Sequence, residues 1–194
     1  MLHQWSKSSD GNAASVRVIL FDFRKAFDLV DHEILVHKLK HLNIKPPTFN
    51  WIVDFLTNRQ QRVKLTDHSF SQWSHVPAGV PQGSKLGPWL FLLMINDLKI
   101  SPTFDLWKFI DDTSISEVIP KMSPSVIQPA VDEMVVWSDQ NRFQLHPTKS
   151  KELRIDFSKQ PRCFKPVQVE GRELEVVKTA KILGLVVSYD FKWN

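Results

Sequence analysis

The chain has 194 residues, 42% hydrophobic and 24% charged, so it can bury a substantial core, and neither a disordered chain nor a fibre fits. A net charge of +4 permits a polyanionic partner but lacks the dense basic run of a tail that binds nucleic acid by charge alone. The single cysteine, Cys163, excludes an internal disulfide, and no signal peptide or membrane-length apolar run occurs. We therefore expect an intracellular protein, nuclear or cytoplasmic, without a membrane segment.

The first half of the chain predicts a buried strand followed by two helices. Residues 16–23 are rich in β-branched and aromatic residues on both faces, which is typical of a strand in the middle of a sheet. Asp31 occupies an N-cap position before an amphipathic helix that we expect to end near Asn43. Thr48 is a candidate cap for a second helix, and residues 61–65 alternate like an exposed strand.

The second half predicts a loop, a buried helix, a hairpin, and then a helix with several strands. Glycine and proline mark residues 76–83 as a loop, and the apolar run after it is long enough to predict a buried helix that ends near Asp97. Two strand-like runs, 104–110 and 113–119, are separated only by an acidic pair, as in a tight hairpin. The remaining predicted elements are a helix over residues 125–141 and strands over residues 153–157, 166–169 and 181–187.

This order of elements predicts an α+β fold, with helices packed on one face of a mainly antiparallel sheet. No internal repeat or low-complexity tract divides the chain, and the prolines are spread between periodic segments. We therefore expect residues 1–194 to form a single domain.

Acidic residues end two of the apolar segments: Asp22 closes the first predicted strand, and Asp111 with Asp112 occupies the hairpin turn. A buried carboxylate must be neutralised, paired or bound to a metal, and Lys108 is the only cation close in sequence to the hairpin acids. Oxygen ligands favour Mg²⁺, and two ions about 4 Å apart can serve phosphoryl transfer. Taken alone, the Asp pair is better explained by a turn whose side chains bond to their own backbone.

Five segments, in order and with suitable spacing, resemble the motifs of reverse transcriptases. The wider context, at residues 30–32, 58–63, 83–88 and 95–98, is similar to the enzymes of non-LTR retrotransposons in particular. Residues 21–28, Phe-Asp-Phe-Arg-Lys-Ala-Phe-Asp, resemble motif A, and residues 79–84, Gly-Val-Pro-Gln-Gly-Ser, resemble motif B. Residues 109–112, Phe-Ile-Asp-Asp, resemble the aromatic-x-Asp-Asp of motif C, while residues 145–151 are similar to motif D and residues 182–185 to motif E. The resemblance implies a reverse-transcriptase palm, with the fingers and thumb largely missing.

The resemblance also implies a metal centre and a set of substrates. Asp22 and Asp111 would hold two Mg²⁺ ions, for which Mn²⁺ can substitute, with Asp112 as a third carboxylate and the Phe23 carbonyl completing the shell. The partners would be an RNA template, a DNA primer and deoxynucleoside triphosphates.

Further residues are implied around the nucleotide. A ring at Phe27 would collide with a 2′-hydroxyl, while Gly83 would allow a close approach and Gln82 would bond to the template or the nucleotide. Lys149 would be the motif D lysine that protonates the leaving pyrophosphate, with Lys151 as its competitor. Each also has an ordinary explanation, namely core packing for the ring, a turn for the Gln-Gly pair and a solvated surface for the lysines.

Three functional hypotheses remain open at this point: an RNA-directed DNA polymerase module, a catalytically idle nucleic-acid-binding remnant, and a metal-dependent nuclease. The nuclease has no obvious use for the motif B loop. Arg59, Arg62 and Lys64 are candidate contacts to template phosphates. Two positions depart from the family pattern, because His146 stands where motif D usually has asparagine and Ile110 where motif C more often has alanine.

Overall fold

The structure is a computed structural model, and it describes residues 1–9, 15–156 and 162–191. Its helices are α1 (Leu2–Ser9), α2 (His32–Lys40), α3 (Pro46–Leu56), α4 (Leu86–Met94) and α5 (Gln128–Gln140). The strands in the first half of the chain are β1 (Ser15–Phe21), β2 (Gln60–Gln61), β3 (Lys64–Thr66), β4 (Ser69–Phe70) and β5 (Ser74–His75). The later strands are β6 (Asp105–Phe109), β7 (Asp112–Ile119), β8 (Lys151–Ile155), β9 (Gln168–Val169), β10 (Arg172–Glu173), β11 (Glu175–Val177), β12 (Thr179–Ile182) and β13 (Leu185–Ser188).

The chain folds into two compact units. The first unit comprises residues 1–24, 98–140 and 144–194. The second unit comprises residues 25–97 and 141–143. Sheet and helices are present together, so the predicted mixed α+β class is confirmed.

A five-stranded sheet in the order β11-β8-β1-β7-β6 forms the centre of the first unit. Strand β1 pairs antiparallel with β7 on one side and with β8 on the other, whereas β11 runs parallel to β8. The central position of β1 explains why its residues are almost all buried on both faces, as the sequence predicted.

One face of this sheet carries an apolar cluster that includes helix α1, an element the sequence pattern did not predict. Trp5 of α1 is completely buried, and its indole N–H donates a 3.0 Å hydrogen bond to the Ser116 hydroxyl on β7. The buried members of the cluster are Trp5, Val16, Val18, Leu153, Ile155, Ile182 and Val187. Burial of one large ring, rather than periodicity over a short helix, anchors α1.

The opposite face of β1 and β8 carries charged side chains, of which Arg17 and Glu152 are buried and Arg154 is half-buried. Arg17 Nε and Arg154 Nε each lie 2.7 Å from Glu152 Oε1. Arg17 also donates to the Ser125 hydroxyl and to the Lys165 carbonyl. We call Arg17, Glu152 and Arg154 the charge network.

In the second unit, Asp31 caps α2 as predicted, because its Oδ1 accepts a 3.0 Å hydrogen bond from the Ile34 N–H. The prediction that Thr48 caps the next helix is wrong: α3 already begins at Pro46, with Lys45 at the N-cap position. Proline fits the first turn of a helix because the N–H it lacks has no partner there. Helix α4 forms where the apolar run predicted a buried helix, but only one of its faces is buried. Trp89 and Leu92, on the remaining surface of the helix, are exposed.

The prediction of one continuous strand over residues 181–187 is also wrong, because these residues form most of a hairpin. Strands β12 and β13 pair antiparallel from Thr179↔Ser188 to Ile182↔Leu185, which leaves a two-residue turn. Both turn residues have positive φ, +49° at Leu183 and +86° at Gly184, and such a turn suits the twist of a hairpin. Residue 157 of the strand predicted over 153–157 lies outside the described residues.

No helix among the described residues combines the length and the apolar character that crossing a membrane requires.

Candidate active site

The acidic residues at 22 and 112 lie at the same end of neighbouring strands. The pairing of β1 with β7 ends at Phe21↔Thr113, so Asp22 and Asp112 are the next residues along the two strands. Strands β6 and β7 pair as far as Phe109↔Asp112. The two-residue turn therefore consists of Ile110 and Asp111, one position earlier than the sequence predicted, and Asp112 begins the strand.

The backbone of Asp22 is held in place by the motif D segment. The Asp22 carbonyl accepts a 2.8 Å hydrogen bond from the His146 N–H, and the Asp22 N–H donates to the Ser150 hydroxyl at 3.1 Å. Ser150 is completely buried, and its own N–H bonds to the His146 carbonyl at 2.9 Å. Phe23, also buried, forms an isolated bridge with Leu145. A segment more than a hundred residues away thus orients the residue that closes β1.

Like charges meet at this end of the sheet. Partial burial, together with the negative charges of Asp111 and Asp22, raises the pKa of the Asp112 carboxyl. Among the described residues, no Lys, Arg or His side chain pairs with any of the three acids. The nearest cation in sequence, Lys108, donates to the Leu98 carbonyl at 3.1 Å. We call these three acids the carboxylate cluster.

The donors of the carboxylate cluster suit a hard cation but do not form a closed cage. Within the described ranges, no three His, Cys, Asp or Glu side chains are gathered so that they could hold a metal by themselves. Mg²⁺ usually takes only one or two carboxylates and completes its shell with water and substrate phosphates. Two oxygen donors on adjacent strand ends, with no positive partner, are therefore the arrangement that fits this ion.

Backbone strain accompanies the carboxylate cluster. Ile110, in the turn of the β6–β7 hairpin, has φ of +56°. A β-branched residue rarely adopts this conformation, since Cβ approaches the carbonyl oxygen too closely. Strained backbone of this kind is often found at functional sites.

The two motif D lysines differ in their surroundings. Lys151 Nζ forms an ion pair with Glu175 and also donates to the Thr148 carbonyl at 3.2 Å. Lys149 is exposed, and its side chain has no hydrogen-bond or ion-pair partner among the residues that the structure describes. The structure therefore leaves Lys149, and not Lys151, available to reach a ligand.

The motif E segment and motif C border one cavity in the first unit. This cavity, of about 210 Å³, is lined by Asp112 and Phe109 from the β6–β7 hairpin and by Ile182 and Leu183 from the β12–β13 hairpin. The buried indole N–H of Trp107 and the hydroxyl of Thr113, both on residues lining the cavity, have no hydrogen-bond partner among the described residues.

In the second unit, the end of motif A and the motif B loop are joined through their backbones. The Gly79 N–H donates to the Val30 carbonyl and the Val80 N–H to the Phe27 carbonyl, both at 2.8 Å. A Cβ on Gly79 would lie 2.7 Å from the Asp28 carbonyl oxygen, and the residue has φ of +91°. Only glycine permits this close approach.

The side chain of Gln82 has a partner that sequence reasoning did not identify. Its Nε2 donates to Asp28 Oδ1 at 3.3 Å, although both residues are exposed. Gly83, with φ of +82°, has open space where a side chain would stand. Phe27 is half-buried, and its ring stacks on the ring of Phe91.

The candidate phosphate contacts lie in the exposed part of the second unit. Arg59 stands over the Phe55 ring, and Arg62 lies 4.0 Å from the centre of the Phe70 ring. Lys64 pairs with Asp67 at 2.6 Å, and both side chains are exposed. Their positions leave both a phosphate contact and an ordinary surface role open.

Two contributions to the site were missed from the sequence. Ser150 and Asp28 act through hydrogen bonds across 128 and 54 residues, to Asp22 and Gln82 respectively, and no local pattern marks such partners. The available signal was position alone, since Ser150 is the last residue but one of the motif D segment and Asp28 is the last residue of motif A.

Known proteins resemble this chain over most of its length. A probable RNA-directed DNA polymerase from transposon X-element of Drosophila melanogaster is 29% identical over 87% of the chain, and a probable one from transposon BS is 25% identical over 87%. The RNA-directed DNA polymerase from mobile element jockey of the same organism is 25% identical over 86%. The matched regions amount to 19%, 20% and 19% of those relatives, so the chain spans about a fifth of their length.

A family model described as "Reverse transcriptase (RNA-dependent DNA polymerase)" matches residues 2–187, which takes in all five motifs. The chain therefore belongs to the reverse transcriptase family.

Proposed function

We propose that this chain is the palm, with part of the fingers, of an RNA-directed DNA polymerase that adds deoxynucleotides to a primer 3′-hydroxyl by a two-metal mechanism. The uncompensated carboxylate cluster is the single observation that carries this proposal. Residues 1–194 are assigned to one reverse transcriptase domain, because the family match runs from residue 2 to residue 187. The partners would be an RNA template, a DNA primer and deoxynucleoside triphosphates.

In this proposal the acids hold divalent ions. Asp22 and Asp111 would supply the carboxylates, Phe23 its backbone carbonyl, and Asp112 the weaker third carboxylate. When bound, two Mg²⁺ ions, or Mn²⁺ in their place, activate the attacking 3′-hydroxyl and stabilise the departing pyrophosphate. The hydrogen bonds from His146 and to Ser150 keep the Asp22 backbone in one orientation, which pre-organises its oxygens.

Residues outside the carboxylate cluster have roles in binding and proton transfer. Lys149 protonates the leaving pyrophosphate, a role supported by the finding that no described residue pairs with its side chain. Gln82 and Gly83 lie against the nascent base pair, where the bond to Asp28 fixes which side of the Gln82 amide faces outward. Phe27 excludes a 2′-hydroxyl.

Primer extension on an RNA template, with Mg²⁺ and with chelator, tests the proposal. Asp22→Asn and Asp111→Asn should each reduce extension at least about a thousandfold, because several kcal/mol of charge stabilisation is lost and each 1.4 kcal/mol is about tenfold in rate. Asp139→Asn on α5, an exposed acid outside the cluster, is the matched control and should extend normally.

Extension that survives either cluster substitution would refute the mechanism. Salt-sensitive binding of primer–template without Mg²⁺-dependent synthesis would favour the alternative, a catalytically idle nucleic-acid-binding remnant. Release of short fragments instead of longer products would indicate a nuclease.

A further inference from the structure

Helix α4 contributes a ring to the second unit that none of the predicted roles uses. Phe91, in the middle of α4, has no solvent exposure. Its ring lies 4.5 Å from that of Phe27, centre to centre, with the planes only 19° apart. Phe143 meets Phe91 edge-on, with ring centres 6.0 Å apart and planes at 75°. The three rings form a column in which Phe91 is the buried middle member.

We propose that Phe91 is a positioning residue for sugar discrimination: it supports the Phe27 ring from the core side and so determines how far that ring projects towards the nucleotide sugar. The inference rests on the proposed function, because it assumes that Phe27 meets the sugar. It goes further because it states that Phe91, 64 positions away in the sequence, determines the height and tilt of the Phe27 ring.

The main chain of Phe27 is fixed independently of its ring. The Val80 N–H donates to the Phe27 carbonyl at 2.8 Å, and the neighbouring Gly79 N–H donates to Val30. With the backbone held by these bonds, the remaining freedom of Phe27 is rotation of its side chain. Stacked rings prefer an offset geometry at about 4.5–7 Å, so the Phe91 ring restricts that rotation.

Phe27 is half-buried, so one side of its ring is supported and another part meets solvent. Partial exposure of an apolar ring is common and does not by itself identify a function. An exclusion device, however, needs one rigidly supported side and one open side, because it acts by occupying space that the wrong substrate requires. A smaller side chain at 91 would let the Phe27 ring sink, and a 2′-hydroxyl would then fit.

The test is the ratio of ribonucleotide to deoxynucleotide incorporation on a primed RNA template. Phe91→Leu should raise this ratio about tenfold, which is the lower end of the discrimination that a methylene-sized change in a pocket gives. Phe27→Ala should raise it further. Each ratio is measured within one preparation, so the fraction of folded protein cancels.

Two controls separate positioning from loss of stability. Leu56→Ala removes a completely buried side chain from α3 of the same unit, outside the ring column, and should leave the ratio unchanged. The double variant Phe27→Ala/Phe91→Leu should show the same ratio as Phe27→Ala, because Phe91 acts only through Phe27.

The outcomes are distinguishable. If Phe91→Leu leaves the ratio at the wild-type value, or if Leu56→Ala raises it equally, the proposal for Phe91 is overturned while polymerase activity stands. If the double variant exceeds Phe27→Ala, Phe91 does not act through Phe27, and the proposal is overturned again. If the wild-type chain makes no product from either nucleotide, the proposed function itself fails, and this inference fails with it.

Discussion

Strand β1 has a charged residue near its start, Arg17, and another directly after its end, Asp22. Arg17 lies beside a side chain of opposite charge, whereas Asp22 lies beside side chains of the same charge. Arg17 is only 3% exposed, and its guanidinium forms an ion pair with Glu152, which Arg154 also contacts. Asp22, at the other end, lies beside two more acids and pairs with no cation among the described residues. One sheet therefore holds a compensated charge network and an uncompensated carboxylate cluster.

The titration of the two regions differs accordingly. Burial disfavours the charge of Glu152, but the hydrogen bonds and positive charges of Arg154 and Arg17 outweigh it and lower the pKa of Glu152. At the carboxylate cluster the pKa of Asp112 moves upwards, because burial and the neighbouring acids act in the same direction. Compensated charge serves the fold, whereas acids held together without a partner mark a candidate functional site.

The largest expected effect comes from breaking the charge network. Arg17→Met should lower the free energy of unfolding by about 3 kcal/mol, because Glu152 remains buried and loses one of its two guanidinium partners. Urea denaturation at neutral pH measures the loss.

The double variant Arg17→Met/Glu152→Gln is the control for this prediction. It should recover part of the stability, since position 152 no longer carries a buried charge and Arg154, which loses its ionic partner, is partly exposed to solvent. A double variant less stable than Arg17→Met alone would show that packing, and not charge, holds these strands together.

A smaller effect is expected at the strained turn of the carboxylate cluster. Ile110→Asn should raise the free energy of unfolding by about 1 kcal/mol, because asparagine tolerates positive φ better than a β-branched residue. Thermal unfolding measures the change. Leu183→Asn, at the positive-φ turn of the other hairpin, should give a gain of similar size or less. A loss of stability at Ile110 would mean that packing of its side chain outweighs the strain.

The smallest effect, and one of opposite sign to that of Arg17→Met, is expected at Asp112. Its folded-state pKa is raised, so the charged form costs stability at neutral pH, and that cost disappears as the pH falls through the raised pKa. Asp112→Asn should therefore stabilise the protein at pH 7 by about 0.5 kcal/mol, a small value because the residue is exposed and screened by solvent. Denaturation at neutral and acidic pH, at low and high salt, measures the difference.

Glu152→Gln is the matched control for the sign of the stability change expected at Asp112. The folded-state pKa of Glu152 is lowered, so its charge contributes stability above its unfolded pKa, and this contribution is lost as the pH falls through the lower folded value. Its neutralisation should destabilise the protein at pH 7. If both substitutions changed stability in the same direction, the contrast between the two regions would be disproved.

Local patterns in the sequence predicted much of the fold. The apolar character of residues 16–23 indicated a central strand, and β1 is central. Asp31 was recognised as an N-cap because capping depends on a residue and the three that follow it. The apolar run after the motif B loop indicated a helix, which is α4, although only one face of α4 is buried. These features depend on neighbours in sequence, which a reader of the sequence can see.

Other features of the fold were not predicted from the sequence because they depend on residues that are distant along the chain. Helix α1 is held by Trp5 against β7, and a short segment with one large ring gives no periodic signal. The turn at Leu183 was assigned to a strand because β-branched residues surround it and only one glycine interrupts them. The predicted start of α3 lies three residues too late, because Pro46 and Pro47 form the first turn of α3, where the sequence pattern indicated a loop between two helices.

By itself, the sequence determined which residue types close the apolar strands, and the order and spacing of the motifs that indicate the family. Only the tertiary structure decided that β7 lies beside β1 in the register that brings Asp112 next to Asp22, that Ser150 holds the Asp22 backbone, and that Phe91 lies under Phe27. The reason is physical: strand order, long-range hydrogen bonds and ring stacking depend on how distant segments pack, and local periodicity carries no information about that choice.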